Sequence, residues 1–163
     1  MPPHEFLRMG EGGGQILRSS LALAAITGQG VEIENVRGGR AKPGLMRQHL
    51  TAFMAAAEVC GGHAGGAELG STAITFRPGT IRGGDYSFAV GTAGSANLVL
   101  QTVIPILLHA DTPSTVTVRG GTHNMASPPF EFLDECYAPA LRDMGYDVAF
   151  TLNAYGFYPA GGG

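Results

Sequence analysis

The chain has 163 residues, 44% of them hydrophobic and 14% charged, and a formal net charge of −3. That supplies apolar material for one domain or two small ones and excludes a disordered chain. Residues 1–84 hold eight Lys/Arg against six Asp/Glu and 85–163 hold two against seven, so a basic footprint covering the whole surface is excluded and any anion site is local.

Residues 5–9 are expected to form a strand, followed by a turn at Glu11-Gly12-Gly13-Gly14. Gln15 to Thr27 reads as a helix: Ile16, Leu17, Leu21, Ala24 and Ala25 share one side, and Gly28 stops it. Val31 and Ile33 alternate with Glu32 and Glu34, the pattern of a half-buried strand. Arg37 to Lys42 is a loop. Pro43 suits the first turn of the next helix. That helix carries the stripe Leu45, His49, Ala52, Phe53, Ala56 and Cys60, and Gly61-Gly62 ends it. Strands follow near 63–69 and 73–78. The order then recurs. Ser87 to Val90 is a strand, Gly91-Thr92-Ala93-Gly94 a turn, Ser95 to His109 a helix kinked at Pro105, and Thr115 to Val118 a strand. A loop covers 120–127, a helix runs from Pro128 or Pro129 to Met144, and two strands finish the chain.

The recurrence is visible in the residues themselves. Val36-Arg37-Gly38-Gly39 returns as Val118-Arg119-Gly120-Gly121, and the same offset superposes Gly12 on Gly94. With a drift of one or two residues, Gly61 meets Gly145 and Pro78 meets Pro159. A repeat of this size is one duplicated supersecondary unit. The fold class expected is therefore α+β, with two tandem β-α-β-α-β-β repeats. Each would have two helices packed on one face of a four-stranded sheet. Residues 1–84 form the first repeat and 85–163 the second, with the boundary near Gly83-Gly84.

Four of the ten basic residues, Arg37, Arg40, Lys42 and Arg47, fall within eleven positions. Three stand on a Gly-rich loop before a helix, where forked guanidinium groups and free amides suit a phosphate. A solvated surface loop fits the same spacing. Three glycines before a helix let a ligand approach the backbone around Glu11 to Arg18. Glu11 could then ligate a divalent ion and Arg18 reach a phosphate, but a tight turn with a surface arginine explains the same residues. The run has neither the P-loop ending nor GxGxxG. Gln101 and His109 interrupt an apolar helix and need partners, either a ligand or a neighbouring strand. His49 reads as a core or rim residue. Cys60 and Cys136 lack ligand spacing and read as buried thiols in a reducing compartment. No secretory signal is seen and no apolar run is long enough to span a membrane, so a cytoplasmic location is expected.

Glu11-Gly-Gly-Gly-Gln-Ile-Leu-Arg18, Arg37-Gly-Gly-Arg-Ala-Lys-Pro-Gly-Leu45, Gln48-His49-Leu50, Gly91-Thr-Ala-Gly-Ser95, Leu98-Val-Leu-Gln-Thr102 and Gly156-Phe-Tyr-Pro-Ala-Gly-Gly-Gly163 together resemble the RNA 3'-terminal phosphate cyclase family, in its bacterial form. The resemblance runs in order from residue 10 to residue 163. It implies ATP-dependent end processing: a histidine is adenylylated, AMP passes to an RNA 3'-phosphate, and the 2'-hydroxyl displaces AMP to leave a 2',3'-cyclic phosphate. It implies ATP and a divalent ion, Mg or Mn, as cofactors. Carried over residue by residue, Glu11 lies near the metal and the ATP phosphates. Arg18, Arg37 and Arg40 contact phosphate, Gln101 contacts ATP and Pro128 belongs to the nucleotide pocket wall. Lys42 and Gln48 are weaker candidates, and Arg119 has no assigned role.

Two departures matter. The family's Asp-Gly pair before the glycine turn is replaced by Phe6-Leu7-Arg8-Met9-Gly10. Family enzymes are also about twice this length, and the inserted small domain, a third repeat and the adenylylated histidine have no counterpart here. The expectation is an N-terminal half without a catalytic nucleophile, inactive alone. It would partner an RNA 3'-phosphate end, ATP and the missing half, or self-associate through an exposed repeat edge. The alternative is a non-catalytic, cyclase-like RNA-binding factor of ribosome maturation. Retention of the arginines and Gln101 argues against it.

Overall fold

In the computed structural model, residues 7–9 are described as backbone and 13–163 in full. The expectations placed on Glu11 and on the rest of the first turn through Gly12 lie outside the described residues. The first half contains β1 (Leu7–Met9), α1 (Gly14–Thr27), β2 (Val31–Ile33), α2 (Arg47–Val59), β3 (His63–Gly65) and β4 (Ile74–Arg77). β1 and β2 are parallel; β4 lies antiparallel to both β2 and β3, giving the sheet order β1-β2-β4-β3. The second half contains β5 (Asp85–Ala89), α3 (Ala96–Leu107) and β6 (Thr115–Arg119), again a parallel β-α-β unit. It continues through α4 (Phe130–Phe132), a π-helical stretch (Leu133–Tyr137) and α5 (Ala138–Asp143) without a break. The molecule is a mixed α/β structure, and no described helix is long and apolar enough to cross a membrane.

Three expectations change. First, a second four-stranded sheet is not present among the described residues. That sheet has two strands, and the expected closing pair is reduced to one bridge between Phe157 and Gly161. A strand exists only where a neighbour takes its N–H and C=O groups; residues 147–153 have the alternation without the neighbour. Second, α2 begins at Arg47, not at Pro43. Gly44 adopts φ 80°, a left-handed conformation that breaks a helix. Leu45 then lies extended against the next loop: its N–H donates to Ser71 O at 3.0 Å and its carbonyl accepts from Gly70 N–H at 2.8 Å. Third, Cys136 is exposed while Cys60 is buried. The last helix buries only Leu133, Ala138 and Leu141, and the π turn leaves Cys136 off that stripe.

The core ignores the boundary expected near residue 84. One buried cluster runs from Leu17 to Leu107, and α1, α2 and α3 all pack on one another. Alanines make this possible: Ala52, Ala55 and Ala56 on α2 are fully buried, letting the helices approach closely. Phe53 is the large side chain between them and the sheet, meeting Phe76 of β4 edge to face at 6.1 Å. α3 runs through Pro105. Proline has no N–H, so the carbonyl of Gln101 one turn back loses its usual intrahelical donor.

Candidate functional site

Three helix N-termini meet at one place. A Cβ on Gly14, at the start of α1, would stand 2.5 Å from His49 Nε2 and 3.2 Å from an Arg18 Nη1. Glycine is required there because the His49 ring, in the first turn of α2, fills the space of a side chain. The next residue toward the start of α2, Gln48, accepts a hydrogen bond from Ser95 N–H at 2.9 Å through its Oε1. Ser95 caps α3 by accepting from Leu98 N–H. The positive dipole ends of α1, α2 and α3 are thus drawn together by glycines at 14 and 94 and by two polar side chains of α2.

Cations surround this point. Arg18, half-buried on α1, donates to Gln15 Oε1 at 3.0 Å, and burial lowers its pKa. Arg37 adopts φ 55° and donates from Nη1 to Lys42 O at 2.8 Å and Gly44 O at 2.7 Å. It thereby ties off the turn that carries Arg40 and Lys42, both exposed. Burial first, and then the charge of Arg40, lowers the Arg37 pKa. Two neighbouring guanidinium groups repelling one another is the electrostatic state that an anion relieves.

His49 was expected to be a core or rim residue, and sequence pattern offered no signal for more. Its ring is 6% exposed, and burial, then the charges of Arg37 and Arg18, push its pKa down to about 4. Met46 N–H donates to Nδ1 at 3.3 Å, so the neutral ring carries its proton on Nε2, toward Gly14 and Arg18. A folded pKa below the unfolded value means that the unfolded chain takes up the proton first as pH falls. The stability associated with neutral His49 is intact above about pH 6.5 and is lost on the way to pH 4. Between pH 7 and pH 5 the expected loss is about 2 kcal/mol. Urea midpoints of the parent and of His49→Gln at both pH values measure it; the same pH dependence in both would refute this burial of a neutral ring.

Gln101 lies with Gln15, Arg18, Leu23 and Pro105 around a shallow cavity of about 290 Å³ between α1 and α3. The structure therefore puts the expected ATP-contacting glutamine in one groove with the first expected phosphate arginine. Pro128 lies at the N-terminal end of α3 and does not line this groove: its carbonyl accepts from Asn97 Nδ2 at 2.9 Å, one helical turn before Gln101. Gln48, a weaker candidate, is taken up by its bond to Ser95. His109 is accounted for by a hydrogen bond between its Nδ1 and Pro105 O at 3.0 Å. Among the described residues no group of three His, Cys, Asp or Glu could hold a metal.

A second polar cluster was not foreseen. His123 Nδ1 shares a hydrogen bond with Thr122 Oγ1 at 2.9 Å and its Nε2 meets Glu131 at 2.9 Å, while its ring lies 5.4 and 5.5 Å from Tyr155 and Phe157. Gly156 N–H donates to Thr122 Oγ1, also at 2.9 Å. The cluster is a clasp that pins residues 155–157 to the loop after β6.

A family model described as RNA 3'-terminal phosphate cyclase matches residues 9–163. The chain is similar to proteins named RNA 3'-terminal phosphate cyclase from Koribacter versatilis (60% identical over 154 residues, 94% of this chain), Ralstonia nicotianae (61% over 154 residues, 94%) and Pseudomonas fluorescens (57% over 152 residues, 93%). It spans 43%, 44% and 44% of the length of those relatives.

Proposed function

The chain belongs to the RNA 3'-terminal phosphate cyclase family, and from that premise we propose that it is the N-terminal half of an ATP-dependent cyclase and supplies the pocket for the nucleotide phosphates. The meeting of three helix N-termini with Arg18 and Arg37, next to the turn that carries Arg40 and Lys42, carries this reading. Positive helix ends and guanidinium forks gathered in one region suit a polyphosphate, which has many oxygens and no proton to offer. In this reading Arg18 and Arg37 bind the phosphates nearest the helix ends. Arg40 and Lys42 close over them from the loop, and His49 donates from Nε2 while remaining uncharged. Gln101, at the α1–α3 groove, and Pro128 orient the adenosine.

The tandem duplication enters here as well. The two parallel β-α-β units, β1-α1-β2 and β5-α3-β6, are read as copies of one ancestor that have fused their helices into a single core. Glu11, proposed to hold the divalent ion, lies outside the described residues, and the phosphate contacts proposed among the described residues are assigned to the arginines and the helix ends. In the cyclising step the adjacent 2'-hydroxyl attacks an adenylylated 3'-phosphate and expels AMP; the earlier activation needs a nucleophile that takes AMP from ATP and releases pyrophosphate, and that nucleophile is assigned to the other half of the protein. The non-catalytic RNA-binding alternative has no need of four cations at this point.

Calorimetric titration with MgATP and with inorganic triphosphate, combined with intact-protein mass, tests this. Both ligands are expected to bind without any added AMP. A stable AMP adduct would place the nucleophile within these 163 residues, and absence of binding by both ligands would remove the site.

A further inference from the structure

Asn97 stands in the first turn of α3, is 2% exposed, and has the buried apolar residues Ala96, Leu98 and Val99 beside it in the helix. A polar side chain this deep must have its groups satisfied. Its Nδ2 donates to Thr122 O and to Pro128 O, both at 2.9 Å. An amide nitrogen carries two hydrogens and a carbonyl oxygen only accepts. Both hydrogens are therefore committed, and the amide can face only one way. The two carbonyls belong to the first and last residues of one loop, 122–128, so a single side chain gathers both ends of that loop.

The loop is seated on the same turn of helix at further points. Gly121 N–H donates to Gly94 O at 2.8 Å, Ala96 N–H donates to Gly121 O at 2.9 Å, and Asn124 Nδ2 donates to Ala93 O. Between these anchors it is loosely built. Met125 and Ala126 are exposed, and Ser127 Oγ reaches Asn124 O at a long 3.3 Å. Ala126 adopts φ 61°, a left-handed conformation that costs a non-glycine residue free energy and persists where the surroundings over-determine it. The same turn carries Ser95, whose N–H is held by Gln48 of α2. The loop that bears Pro128 and the meeting of helix ends thus share one support.

We infer that Asn97 is a positioning residue for the nucleoside part of the nucleotide: it sets Pro128 at a fixed place relative to Gln101, one turn further along α3, without touching the ligand itself. The inference rests on reading Pro128 and Gln101 as the residues that orient the adenosine. Its consequence is selective. The bonds from Asn97 lead to the 122–128 loop, whereas Arg37 ties the separate turn at Lys42 and Gly44. Removing the two donors weakens what holds a nucleoside and spares what holds a chain of phosphates.

Calorimetric titration of MgATP and of inorganic triphosphate into the parent chain, Asn97→Leu and Asn97→Asp tests this. Leucine is close in size and has no donor; aspartate keeps the shape and turns an acceptor toward the two carbonyls. With two neutral hydrogen bonds lost, Asn97→Leu is expected to bind MgATP about 10-fold more weakly, and Asn97→Asp at least as weakly. Triphosphate affinity is expected to change by less than about 2-fold in both. Equal losses for the two ligands are what a general loosening of the α3 end would produce, and they overturn the inference; so does an unchanged affinity for MgATP. The parent chain supplies a second readout that needs no folded variant. The NMR resonances of the Asn97 side-chain amide are expected to shift when MgATP binds and to stay in place with triphosphate. A shift with both ligands, or with neither, overturns the inference as well. A parent chain that binds neither ligand removes the phosphate site and this inference with it, whereas a parent that binds both and variants that lose both equally remove the inference alone.

Discussion

An Arg37→Ala variant is expected to bind MgATP about 100-fold more weakly than the parent chain, with its helical circular dichroism unchanged. Arg37 does two things that alanine cannot. One Nη1 bridges the carbonyls of Lys42 and Gly44, holding closed the turn that presents Arg40 and Lys42. Among the described residues the remaining nitrogens of the fork have no acceptor. Hydrogen bonds from a charged donor contribute about 1.5–3 kcal/mol each. Losing the clamp and one phosphate contact, with water replacing part of both, comes to about 3 kcal/mol, or about 100-fold in affinity. Arg37→Lys keeps the charge and loses the planar fork, so an intermediate loss of about 10-fold is expected. Calorimetry on the three proteins decides; equal affinities would take Arg37 out of the site.

Phe53→Ala is expected to cost about 3–5 kcal/mol, the usual range for emptying a buried aromatic position. For a chain of this size that lowers the melting temperature by about 6–20 °C. Phe53 has no exposed surface and packs on Phe76 of β4, while its helix also touches α1, α3 and β5. A cavity at this point loosens both halves together, because they share one cluster of buried side chains. Melting followed by circular dichroism should therefore remain a single transition in the variant. Two separable transitions would show that residues 1–84 and 85–163 fold as independent units, and a shift below about 3 °C would show that the shared core does not depend on this ring.

Much of the local structure was legible in the chain. Alternation at Val31–Ile33 and the apolar spacing of 15–27 and 45–60 identified β2, α1 and α2, because side-chain periods of two and 3.6 follow from backbone geometry alone. Gly28 and Gly61 marked helix ends for the same local reason. The start of α2 was misplaced because Pro43 is equally suited to a helix N-terminus and to the loop it occupies. The deciding contact is between Leu45 and residues 70 and 71, which no window around Pro43 contains. The arginines were found by their clustering on a Gly-rich turn, whereas His49 was not found. Its position on the apolar stripe of α2 is that of a core residue, and only the closeness of Gly14 and Arg18, more than thirty positions earlier, gives its Nε2 a direction.

By itself the sequence determined α1, α2 and α3, the glycines that allow close approach and the family to which the chain is similar. Each of these depends on residues near one another in the chain, or on the identity of the residues. The tertiary structure alone decided that two halves share one core, that three helix ends meet near Arg18 and Arg37, and that, among the described residues, the second sheet has two strands. Those outcomes depend on which surfaces find partners. A strand such as 147–153 has its pattern written locally, but its hydrogen bonds belong to a neighbour.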